Sequence, residues 1–149
     1  MDNMTFFNRL TLAVFEKLYS AFPRPVDIDV LAVAMTVIPK DTLHDETFNS
    51  LQAAEDAIDF LTREGFLTHK GSDREGGTFL QARLTLKGLA ILGSKPDALE
   101  GSKPLIDRIK HVLARGAKEA GVEAAKQLIQ QVFAAAAAAA PAVIAGLTR

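Results

Sequence analysis

Apolar side chains recur at intervals of three or four along most of the chain and alternate along one short stretch, so the pattern predicts helices with a small sheet. Between Thr5 and Phe22, the residues Phe7, Leu10, Val14, Phe15, Leu18 and Phe22 share one helical face, and Pro23 and Pro25 end that helix. Pro25-Val26-Asp27-Ile28 reads as a short strand. The Asp29 carboxylate can accept orphan N–H groups, so it is expected to cap a second helix over Val30, Leu31, Val33, Ala34 and Val37, bounded by Pro39. From Asp45 to Glu64, Leu51, Ala54, Ile58 and Leu61, with Phe48 at the start, mark the clearest amphipathic helix. Gly65 stands where a left-handed cap is expected, and Phe66-Leu67-Thr68 leaves it as a strand.

Period two takes over from Thr78 to Thr85, where Leu80, Ala82 and Leu84 alternate with Gln81 and Arg83. With Gly71 to Gly77 as a polar tip, the two strands form a hairpin. A short helix follows over Leu86, Leu89, Ile91 and Leu92, closed by Gly93 and Pro96. Beyond a linker rich in Gly, Ser and Pro, helical spacing resumes at Leu105, Ile109, Val112 and Leu113, and again at Val122, Leu128, Ile129 and Val132, with breaks expected near Gly116 to Gly121 or at Pro141. This tail contains seven consecutive alanines, Ala134 to Ala140, and no charge from Gln127 to Thr148.

The order helix, short strand, helix, helix, strand, glycine-rich tip, strand, helix resembles a winged-helix domain of the kind found in MarR-like and PadR-like regulators. Leu61-Thr62-Arg63-Glu64-Gly65-Phe66-Leu67 and Ala82-Arg83-Leu84-Thr85-Leu86-Lys87-Gly88-Leu89-Ala90-Ile91-Leu92 carry the resemblance, which covers about residues 5–93. It implies an α+β, mostly helical fold: a winged helix-turn-helix with a two-stranded wing over 1–96, a linker over 97–104 and an alanine-rich helical tail over 105–149. The link from Ile38 to Asp45 departs from the pattern, being longer than the turn of a compact helix-turn-helix.

Charge changes what the resemblance implies. Residues 1–101 carry ten Lys and Arg against fifteen Asp and Glu, a net of −5, and residues 102–149 carry seven against three, a net of +4. A winged helix on DNA lays its third helix in the major groove and sets basic wing residues beside the phosphates. Here that helix and its approach hold Asp45, Glu46, Glu55, Asp56, Asp59 and Glu64 against Arg63 alone. DNA is therefore disfavoured. A regulator that dimerises through its tail is the alternative reading, with Asn49, Gln52, Lys70, Arg74 and Arg83 as its nucleic-acid contacts. The favoured reading is a non-enzymatic, bacterial-style interaction module whose Glu55, Asp56 and Asp59 meet a basic protein surface.

Catalysis finds little support in the residues. Glu55 and Asp59 share a helix face, but no nucleophile, phosphate loop or metal motif completes a site, and Asp59 with Arg63 makes an ordinary i,i+4 pair. Cysteine is absent and the three histidines, His44, His69 and His111, are scattered, so neither a metal nor any other cofactor is expected. The start of the chain lacks a basic segment followed by a long apolar run, which predicts a cytoplasmic protein. The tail has two functional readings. Its small residues suit close helix packing in self-association or on a partner helix, with Val132, Phe133, Ala136, Ala139 and Ile144 as the contact set. Residues 128–147 also have about the length of a bilayer span, and the preceding Lys and Arg suit anionic lipid, giving peripheral contact at the inner membrane face as a second alternative.

Overall fold

Asp2 begins the fold. Its carboxylate accepts the Thr5 backbone N–H at 2.7 Å, and this cap opens α1, Asn3–Ala21. Because that hydrogen bond favours the ionised form, Asp2 is held below the usual carboxylate value. The computed structural model describes residues 1–39, 44–73, 77–95, 103–115 and 119–147, with the side chains of 44, 45, 119, 120 and 139–147 left outside that description. Among the described residues the architecture is mixed α+β, mostly helical, with one small antiparallel sheet.

After α1 come β1, Val26–Asp29, and α2, Val30–Val37, whose first turn is capped by Asp29 through the Ala32 N–H at 3.1 Å. The long helix α3 spans His44–Arg63, and Gly65 follows it at φ +82°, the left-handed conformation that glycine takes without strain. Three strands then form: β2, Leu67–Thr68, β3, Ser72–Asp73, and β4, Thr78–Leu84. The polar tip is shorter than Gly71 to Gly77, because Ser72 and Asp73 pair with Phe79 and Thr78. Next, α4 covers Leu86–Leu92, α5 Leu105–Ala114 and α6 Glu119–Leu147. Of the positions where a break is expected, residues 116–118 lie outside the described residues, and Gly121 and Pro141 lie within the span of α6.

β4 is the centre of the sheet, with β1 along one edge and β2 and β3 along the other. Its alternation is broken by a bulge. Val26 pairs with Ala82 but Ile28 pairs with Phe79, so three steps on β4 match two on β1. Gln81 absorbs the extra residue at φ +49°, and its N–H donates to the Asp27 carboxylate at 2.9 Å. The bulge turns Phe79 and Ala82 inward together and leaves Leu80 40% exposed, contrary to the inward position that strict period two assigns it.

Four helices, α2, α3, α5 and α6, pack against α1. Burial around α1 therefore extends well beyond the single apolar face of the sequence pattern and takes in Asn8, Arg9, Thr11 and Leu12. Leu105, Ile106 and Ile109 of α5 and Leu128, Ile129, Val132 and Ala136 of α6 are buried in the same core as Leu10, Phe15, Ile58 and Leu61. Phe133 joins Phe7, Phe60 and Phe66 in a ring cluster, with centroids 5.7 to 6.4 Å apart across its contacts. The tail up to Ala136 thus covers α1 and completes the core.

Candidate docking groove between the first and third helices

The face of α3 beside the N-terminal end of α1 bounds a groove of about 570 Å³. Met1, Met4 and Phe7 line one wall, Ile38 and Pro39 close an end, and Glu46, Asn49, Ala53, Asp56 and Phe60 line the other wall. Helical geometry explains the set on α3, since positions 46, 49, 53, 56 and 60 follow steps of three and four and lie beside the buried stripe of Ala54, Ala57, Ile58 and Leu61. Its apolar members stay accessible: Met4 is 61% and Phe60 43% exposed. The charged side chains of the lining are acidic, Asp2, Glu46 and Asp56, with no Lys or Arg among the described residues. This is an apolar trough with a negative rim.

The acidic residues expected to act together on α3 diverge. Asp56 lines the groove. Glu55 is half-buried on the flank toward the hairpin, where its carboxylate sits 3.5 Å from the position a Cβ on Gly77 would take. Asp59 faces solvent and pairs with Arg63 at 3.1 Å, an exposed i,i+4 bridge that adds little to stability. Phe48, which the apolar pattern suggested as the start of the buried stripe, is instead 58% exposed.

The nucleic-acid candidates are equally dispersed. Asn49 lines the groove, Gln52 and Lys70 are exposed, and Arg74 lies outside the described residues. Arg83 donates from Nη1 to the Pro23 carbonyl at 3.5 Å. His69 has a structural place: Nδ1 accepts the Gly71 N–H at 3.0 Å, and its ring meets the edge of Phe79. Of the tail candidates, Val132 and Ala136 are buried in the chain's own core and Phe133 is half-buried in the ring cluster. The side chains of Ala139 and Ile144 lie outside the described residues.

The tail's basic residues meet elsewhere, where Lys103, Arg108, His111 and Arg115, with Asp107, line a shallow groove between α5 and α6. Arg108 reaches across it, Nη1 donating to Gln131 Oε1 at 3.4 Å. No helix among the described residues is long and apolar enough to cross a membrane. The described residues also hold no group of three or more His, Asp or Glu able to take a metal ion.

Sequence reasoning counted Glu46 among the acids of α3 without placing it in the contact set, and missed Met4 and Phe60. The available signal was Phe60 itself, a large apolar residue on α3 that falls outside the stripe of Leu51, Ala54, Ile58 and Leu61. No family model, curated protein or solved structure matches the chain. The geometry of the groove therefore carries the functional reading alone.

Proposed function

We propose that the chain is a non-enzymatic interaction module, a winged-helix-like domain completed by its tail, whose α1/α3 groove receives the apolar face of a cationic amphipathic helix. The observation that carries this reading is the juxtaposition of exposed Met4 and Phe60 with Glu46 and Asp56 in one trough whose described lining holds no Lys or Arg side chain. Methionine and phenylalanine give an adaptable apolar floor for an amphipathic helix. Flanking carboxylates select a basic partner by complementary potential and speed its capture. The same carboxylates oppose a phosphate backbone, which weighs against the third helix as a DNA reader.

A leucine/lysine amphipathic peptide of about 18 residues, long enough for roughly five helical turns, is a suitable probe, with a leucine/glutamate peptide of the same design as its control. Titration by fluorescence anisotropy is expected to give saturable binding of the cationic peptide that weakens as salt shortens the screening length from about 8 to about 3 Å. The exposed-site variants Glu46→Lys and Asp56→Lys should each weaken it severalfold, and together abolish it. Equal binding of both peptides, unchanged affinity in the double variant, or tighter binding of duplex DNA than of the cationic peptide would overturn the proposal.

A further inference from the structure

Four rings link the docking groove to the inside of the molecule. Phe60 is 43% exposed on α3, beside the buried stripe, a position at which the helix alone allows more than one rotamer. Two other rings confine it. Phe7 of α1 meets it in an edge-to-face arrangement, with centroids 5.8 Å apart and planes at 73°, and Phe133 of α6 does so at 6.4 Å and 67°. Phe7 and Phe133 meet in turn at 6.1 Å, which closes a triangle with one ring from each of three helices. Edge-to-face packing is an arrangement that the ring quadrupole favours.

Phe133 differs from the other two in what stands behind it. Its centroid lies 5.7 Å from that of Phe66, which is 2% exposed and packs at 5.5 Å on Phe15, a fully buried ring of α1. Lys87 of α4 holds Phe66 further, since its ammonium lies 5.1 Å from the ring centroid and donates to the Glu64 carbonyl at 2.8 Å. Phe7 and Phe60 line the groove, whereas Phe133 does not. The tail therefore reaches the groove wall from behind. We infer that Phe133 is a positioning residue of the docking site, which makes α6 a component of that site: its ring carries the rigidity of the Phe15 and Phe66 pair to Phe7 and Phe60 and fixes the apolar wall. The inference rests on the docking reading for what the groove binds, and on the ring geometry alone for how its wall is held. A wall fixed before binding spares the partner the ordering that a mobile one demands on contact. Loss of the Phe133 ring thus weakens docking from outside the groove.

The test uses the isotope-labelled full chain, in which NMR couplings between the backbone and Cγ of Phe60 report its χ1 rotamer. They should show one rotamer in the wild type and averaging over rotamers in Phe133→Ala and Phe133→Leu. The leucine variant keeps apolar bulk on α6, so a folding failure of the alanine variant leaves the measurement intact. Both should weaken binding of the leucine/lysine peptide by about fivefold, the equivalent of one aromatic pair. Leu128→Ala is the control for a merely structural effect, because Leu128 is buried on α6 but lines the groove toward α5. It should lower the melting temperature while leaving Phe60 fixed and the peptide affinity within about twofold. Averaging in the wild type, a single rotamer or undiminished affinity in either folded Phe133 variant, or an equal loss of affinity in Leu128→Ala would overturn the inference. If the wild type did not bind the peptide, the docking reading would fall, while the couplings of Phe60 would still decide whether Phe133 positions it.

Discussion

Replacing Ile109 by alanine tests whether the tail belongs to the core. Ile109 lies on α5 and is fully buried among residues continuous with Leu10 of α1 and Ile58 of α3. The substitution deletes three carbons, and at about 0.8 kcal/mol for each buried methylene the transfer loss is about 2.4 kcal/mol. A residual cavity adds about 24 cal/mol for every Å³ that the surroundings fail to fill, bringing the expected cost to about 2.5–4.5 kcal/mol. In a chain of this length that is a fall of about 5–15 °C in melting temperature.

Two probes make the assay specific. Tyr19 is the single tyrosine and tryptophan is absent, so intrinsic fluorescence reports on α1, while far-ultraviolet circular dichroism reports on all the helices. Both signals should follow one urea transition, displaced equally to lower denaturant. Ile58→Ala, also at a fully buried site, should cost a similar amount, and the exposed neighbour Lys110→Ala should stay within about 0.5 kcal/mol. If Ile109→Ala moved the dichroism transition and left the Tyr19 transition in place, the tail would be an independent appendage and the reasoning would fail.

Gly88→Ala should destabilise the chain by about 1–2 kcal/mol, because overpacking exceeds the helix-propensity gain of alanine. A Cβ there would lie 2.3 Å from the Phe66 carbonyl oxygen, which already accepts the Thr85 N–H at 3.0 Å, and a higher urea midpoint would refute this. Ala136→Leu, at a buried site on α6, should cost about 1–3 kcal/mol by overpacking, read from the same urea curves; a stabilised variant would show that the site has room. Asp2 has a lowered folded pKa, so its contribution to stability is complete above its ordinary value of 3.8 and is lost as pH falls through the folded value. Melting curves of wild type and Asp2→Ala should therefore differ by a constant amount near neutrality and converge in acid below about pH 4, and a gap that widened in acid would contradict the cap.

Local rules made much of the fold legible from sequence. Asp29 caps α2 and Gly65 takes a positive φ, because each answers to chemistry within three residues of itself. The failures came from tertiary structure. Leu80 points outward because a bulge against β1 interrupts the pleat, and the Asp27–Gln81 bond associated with it joins positions 54 residues apart. Periodicity also showed which face of the tail was apolar without revealing what it would cover. Val132 and Ala136 therefore read as contacts for another surface, although both are buried in the chain's own core. The groove was half visible: Asp56 and Asn49 stood among the candidate residues, but their convergence with Met4 depends on how α1 crosses α3, which no spacing rule supplies.

The most direct test of the docking account is the methyl NMR spectrum of the methionine-labelled chain titrated with the leucine/lysine peptide. Met4 lines the proposed docking groove and Met35 is exposed on α2 outside its lining, so one spectrum locates the ligand. The account predicts a saturable shift of Met4, absent in the Glu46→Lys, Asp56→Lys double variant, with Met35 unmoved. A shift of Met35 alone, or binding that leaves Met4 untouched, would contradict it.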